Sequence, residues 1–117
     1  MVQRADSCGL EVALAVIGGK WKPLVLFHLN SGPRRFGELK RLVAGISEKV
    51  LIQQLRELAD DGVVIRRDFQ QVPPKVEYEM TPFGVSLAMA LKPLCEWGDE
   101  NRGRIDELQK GAHSAAA

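Results

Sequence analysis

The feature that most constrains this chain is a change of hydrophobic period at Gly62. Before it, Ser47 to Asp60 reads as one helix, because Leu51, Leu55 and Leu58 recur at helical spacing with Val50 beside them. The Ser47 hydroxyl is placed to cap that helix, and an acidic pair followed by Gly62 stops it. After Gly62, Val63 to Phe69 is rich in β-branched residues, and Lys75 to Met80 alternates polar with apolar. These are two strands. The prolines of the intervening Gln70-Gln71-Val72-Pro73-Pro74 suit an exposed turn and not a hydrogen-bonded ladder, so the pair predicts a β-hairpin.

The flanks are helical. Gly9 to Ile17 carries Leu10, Ala13, Leu14 and Ile17 at helical spacing, and Gly18-Gly19 ends that segment. Trp21 to Asn30 forms a second apolar segment, with Pro23 near its first turn, where a missing N–H costs little. Ser31-Gly32-Pro33 stops it, and a short third helix fits Phe36 to Val43, with Phe36, Leu39, Leu42 and Val43 inward and Glu38, Lys40 and Arg41 outward. Past the hairpin, Thr81 before Pro82 is an N-cap followed by proline at the first helical position. The long helix it opens carries Leu87, Met89, Leu91, Leu94 and Trp97; Pro93 is expected to kink or interrupt it, and Gly98 is a further weak point. The expected organisation is a flexible segment over 1–7, one domain over 8–110 whose last helix covers about 82–110, and a disordered tail over 111–117. The class is mainly α with a small β-hairpin, and the order helix, helix, short helix, turn, helix, hairpin, long helix is that of a winged helix-turn-helix domain.

The charge of such a chain shows where it would be used. The formal net charge is only +1, but Arg34 to Lys75 holds nine Lys or Arg against six Asp or Glu, whereas Val76 to Ala117 holds four against seven. The middle suits phosphate; the end does not. Burying Leu51, Leu55 and Leu58 turns Glu48, Lys49, Ile52, Gln53 and Arg56 outward, with Ser47 at the leading end. Glutamine bonds adenine edges, lysine and arginine bond guanine, and a branched apolar side chain touches the thymine methyl, so this face has the chemistry of base reading. Arg34, Arg35, Lys40, Arg41 and Lys75 are candidates for backbone phosphates, which set register and not sequence preference. A solvated helix face would look similar, and a winged fold can bind protein instead. The basic middle favours double-stranded DNA.

Other chemistries find little support. Cys8 and Cys95 form no metal-ligand pattern, and neither His28 nor His113 is placed by the sequence as a base for a thiol nucleophile, so neither a metal, a cofactor nor an enzyme is expected. No stretch has the length of a membrane span, and the opening residues lead into no signal-peptide core, so the expected compartment is the cytoplasm. Trp21 is read as closing the core under the third helix. Cys8 lies just before the first helix, where the positive end of the helix dipole raises thiol reactivity; Arg4 would help, and Asp6 and Glu11 would oppose. The competing reading is an inert cap. Cys95, beside Leu94 and Trp97, is expected to pack in the core or an interface.

Several strings, in this order, resemble the HxlR-type bacterial transcriptional regulators, a winged-helix group related in architecture to the MarR regulators. They include Ile17-Gly18-Gly19-Lys20-Trp21-Lys22, Gly32-Pro33-Arg34-Arg35-Phe36-Gly37-Glu38-Leu39, Ile46 to Leu58, Asp61-Gly62-Val63-Val64, Val72 to Tyr78, and Leu94-Cys95-Glu96-Trp97-Gly98. The resemblance implies a homodimer joined through its terminal helices, with Leu10, Leu87, Leu91, Leu94 and Trp97 as interface candidates. It also implies that the Ser47–Asp60 helix of each subunit enters successive major grooves of a near-palindromic operator. In a number of the proteins this chain resembles, a cysteine at the position of Cys8 senses oxidants or electrophiles, so the resemblance leaves room for an unidentified oxidant or small-molecule effector. A bridge from Cys8 to the other subunit's Cys95 stays open. Ile52 stands where the family pattern usually has threonine, which removes a hydroxyl from the base-reading face, so the family's base preferences do not carry over to this chain although DNA binding does.

Overall fold

A computed structural model describes the backbone of residues 8–116 and the side chains of residues 8–111. The flexible segment expected over 1–7 lies outside the described residues. The chain runs α1 (Gly9–Ile17), α2 (Trp21–Leu29), α3 (Phe36–Leu42), α4 (Glu48–Asp60), β1 (Val64–Asp68), β2 (Val76–Met80), α5 (Pro82–Glu100) and α6 (Arg102–Ala116).

The period change at Gly62 is where the chain turns. Ser47 Oγ accepts from the Val50 N–H at 3.1 Å and starts α4, and Gly62, at φ +73, takes the left-handed conformation that ends it. Leu51, Leu55 and Leu58 are buried against Val25, Leu26 and Leu29 of α2, Leu39 of α3, and Val63 and Val64, forming one core. Trp21 is half-buried on its edge. β1 and β2 pair antiparallel, with Val64 opposite Met80 and Asp68 opposite Val76. The hairpin gains a third partner that sequence periodicity does not show: the Arg34 N–H donates to Tyr78 O at 2.9 Å and the Tyr78 N–H to Arg34 O at 2.8 Å. This bridge ties the start of α3 to the wing.

Thr81 joins three elements. Its Oγ1 accepts from the Gly84 N–H at 3.0 Å, capping α5, and its hydroxyl donates to Gly62 O at 2.5 Å. Its backbone N–H donates to Val63 O at 3.1 Å. The first turn of α5 is thus pressed onto the end of α4, and Gly84 is buried there because a Cβ would stand 2.0 Å from Val63 O.

The structure corrects several expectations. Pro93 sits inside α5 without ending it; the carbonyl it leaves without a donor belongs to exposed Met89, where solvent can reach it. The break falls at Asn101, whose side-chain amide donates to Trp97 O at 2.9 Å and so competes with the helical ladder. The last helix is therefore two helices. The backbone of α6 is helical to Ala116, across the stretch expected as a tail; the alanines there favour helix. Leu42, expected inward, is exposed near the end of α3, and on α1 only Ile17 is buried.

Candidate nucleic-acid interface

With its leucines fixed in the core, α4 holds Glu48, Lys49, Ile52, Gln53 and Arg56 on one open face, joined there by Glu57 and Asp60. Ile52 is 42% exposed, a large apolar side chain kept in solvent by the geometry of the helix. Ser47, spent on the cap through its Oγ, stands at the leading end of this face. The six base-reading candidates are thus brought together at one end and along one side of a rigid helix.

Glu57 and Lys22 were not among the sequence candidates. Lys22, on α2, is only 9% exposed, and its Nζ lies 2.6 Å from Glu57 Oε1. The other carboxylate oxygen, Oε2, accepts from Gln53 Nε2 at 3.1 Å. The Lys22 ammonium first, and the Gln53 amide second, hold the Glu57 carboxyl below the ordinary carboxylate value. The Gln53–Glu57 spacing of four residues is legible in the sequence, but the contact from α2 is not.

The phosphate candidates divide. Arg35, Lys40 and Arg41 are exposed on and before α3. The Arg35 N–H donates to Glu38 Oε1 at 3.0 Å, which together with the nearby Arg34 guanidinium lowers the Glu38 carboxyl below its ordinary value. Arg34 itself is committed internally. Its Nε donates to His28 O at 3.1 Å and its Nη2 to Ser31 Oγ at 2.8 Å, while Nη1 lies 3.6 Å from Glu38 Oε2. It braces the α2–α3 turn, a role its position in the sequence does not reveal. Lys75 is half-buried at the wing, with Nζ 4.5 Å from the Phe69 ring centroid and 4.0 Å from Glu77 Oε2. Arg66 and Arg67, passed over in the sequence, are exposed on β1, and Arg67 Nε donates to Glu79 Oε1 at 2.6 Å.

A family model described as the HxlR-like helix-turn-helix matches residues 16–106, which holds α2 to α5 and the whole α4 face. The chain belongs to this HxlR-like family. YkvN, an uncharacterised HTH-type transcriptional regulator of Bacillus subtilis, is 56% identical over 92 residues, covering 79% of this chain and 78% of its own. The redox regulator HypR in its reduced form superposes with a TM-score of 0.80 at 43% identity, covering 86% of this chain and 99% of that one. Its oxidised form gives 0.76 at 46% identity, covering 80% and 97%. This HxlR-like protein is accordingly a transcriptional regulator and not an enzyme.

The cysteines of the HxlR-like chain are both free and exposed. Cys8 is the N-cap of α1, its Sγ accepting from the Leu10 N–H at 3.4 Å. Cys95 is no core residue: it borders an apolar groove between α2 and α5 of about 680 Å³, with Leu24, Phe27, Met89 and Leu94. Of the interface candidates, Leu10, Leu94 and Trp97 are exposed, whereas Leu87 and Leu91 are half-buried against the chain's own core, because they share the inward side of α5. Among the described residues no cluster of His, Cys, Asp and Glu could hold a metal ion, and no single helix is long and apolar enough to cross a membrane.

Proposed function

We propose that this regulator binds a near-palindromic DNA operator as a homodimer in the cytoplasm, with α4 of each subunit in successive major grooves. The observation that carries the reading is the α4 face. A helix immobilised by three buried leucines presents Lys49, Gln53 and Arg56, a donor-rich set suited to base edges, together with Ile52, suited to a thymine methyl. Ser47 and Glu48 enter first; Glu48 suits a cytosine amino group. Arg35, Lys40, Arg41 and Lys75 hold phosphates and set the register. Arg34 acts through the turn it braces.

Two further parts belong to the same reading. The exposed apolar residues of α1 and α5, Leu10, Met89, Leu94 and Trp97, pair with their equivalents in a second copy. Cys8 is the sensing residue: its Sγ is exposed yet bonded to the first turn of α1, so oxidation or alkylation removes a cap next to the dimer surface. HypR, solved in reduced and oxidised forms, shares the fold and supports an oxidant response.

The test is fluorescence anisotropy with DNA from upstream of the protein's own gene, at low and high salt, with and without diamide. Salt-sensitive binding that exceeds binding to random duplex, and that diamide weakens in the native protein but not in Cys8→Ser, is the expected result. Equal affinity for random duplex would overturn the operator reading. Identical diamide responses in both proteins would overturn the role of Cys8.

A further inference from the structure

Burial gives Lys22 little choice of partner. Its ammonium has donors and no acceptor, and Glu57 Oε1 at 2.6 Å neutralises it. That contact fixes the carboxylate and leaves Oε2 for Gln53. A carboxylate only accepts, so Gln53 must turn its Nε2 toward Glu57, as the 3.1 Å bond shows. The amide of Gln53 is therefore held one way round. One of its N–H groups is used; the other N–H and the carbonyl Oε1 remain for a ligand.

That remainder is selective. Adenine shows the major groove a donor at N6 beside an acceptor at N7, whereas guanine shows two acceptors, O6 and N7. A Gln53 amide held by Glu57 offers one acceptor beside one donor, which matches adenine and sets carbonyl oxygen against guanine O6. The geometry points to the Lys22–Glu57–Gln53 chain as the device that sets base preference at the Gln53 contact, with Lys22 and Glu57 as positioning residues acting through Gln53. This rests on α4 being the DNA-reading helix. Neutralisation by Lys22 has a second use, since it offsets the repulsion a bare carboxylate on this face would exert on DNA phosphates.

Glu57→Gln inverts the device. Lys22 still demands an acceptor, so the new amide turns its oxygen to Lys22 and its NH2 to Gln53. Gln53 must then rotate and accept through Oε1, leaving both its N–H groups for the two acceptors of guanine. The experiment is selection from a random-sequence duplex pool with the full-length protein and with Gln53→Ala, Glu57→Gln and the double variant Lys22→Met/Glu57→Ala. The native protein is expected to enrich adenine at one position of each half-site, identified as the position where Gln53→Ala loses preference. At that position alone, Glu57→Gln moves the adenine-to-guanine ratio toward guanine by about tenfold. The double variant removes donor and acceptor together, which is milder than orphaning either, and it levels the two bases. An unchanged adenine preference in Glu57→Gln, or in the double variant should Glu57→Gln not fold, overturns the inference while leaving α4 as the reading helix. A native protein that enriches no motif overturns the reading of α4 itself.

Discussion

At the scale of single residues, the packing separates glycines of similar appearance in the sequence. A Cβ on Gly84 would meet the backbone oxygen of Val63 at 2.0 Å, and that oxygen already receives the Thr81 N–H, so neither side can retreat cheaply. Gly84→Ala is expected to cost about 3 kcal/mol and to lower the melting temperature by on the order of 10 °C. On Gly37 the new methyl would meet only the flexible end of Arg41, at 3.6 Å, so Gly37→Ala is expected to be neutral or stabilising by about 0.5 kcal/mol. Thermal melts of both variants decide between steric and propensity control. Glu57 provides a second residue-scale prediction. Its carboxyl is depressed in the fold by Lys22 and then Gln53, so its stabilising contribution is present above the ordinary carboxylate range and is lost as pH falls through the folded-state value. Urea midpoints should decline toward acid in the native protein and decline less in Glu57→Gln; Glu38, depressed by the Arg35 N–H and then Arg34, contributes a residual slope of the same sign in both.

At the scale of elements, the parts legible in the sequence were those set by local pattern. Ser47 capped α4, Gly62 ended it, and the alternation from Lys75 to Met80 placed β2 within one residue, because caps, stop residues and period are properties of neighbours along the chain. What the pattern could not show was contact across elements. The Lys22–Glu57 pair joins α2 to α4, the Arg34–Tyr78 bridge joins α3 to the wing, and both connect residues far apart in sequence. The same limit hides from the sequence that Arg34 bonds His28 O and Ser31 Oγ and that Leu87 and Leu91 pack on the chain's own core. Pro93 failed as a breaker because the rule describes an average helix interior, whereas here the orphaned carbonyl lies on an exposed side. For α3 the surviving exposed cations make a quantitative prediction. If Lys40 neutralises one phosphate in each subunit, Lys40→Ala should weaken binding to operator and random duplex alike and reduce the slope of log affinity against log salt by about 1 per subunit. Arg34→Ala should instead lower thermal stability, through loss of its bonds to His28 O and Ser31 Oγ.

At the scale of the whole molecule, the described chain is extended. Its radius of gyration is 16.8 Å and it measures 55 × 39 × 24 Å, whereas a compact domain of this size has a radius near about 13 Å. The excess lies in the arms. α1 buries only Ile17, and α6 packs mainly on the end of α5. On α1 and α5, Leu10, Met89, Leu94 and Trp97 are all more than half exposed. In the proposed dimer these exposed side chains pack on a second copy, whereas Leu87 and Leu91 already pack on the chain's own core. The two classes should therefore respond differently to substitution. Leu94→Lys combined with Trp97→Lys places charge on the exposed side of α5 and is expected to give a folded monomer by sedimentation, with a melt that no longer depends on protein concentration. Its operator affinity should fall far more than its affinity for random duplex, because a monomer engages one half-site and loses the avidity of two. Leu91→Lys should instead destabilise the fold of each subunit. If the double variant remained dimeric, the two-fold interface would have to be built from other surfaces, and the spacing of the two α4 helices would follow from those.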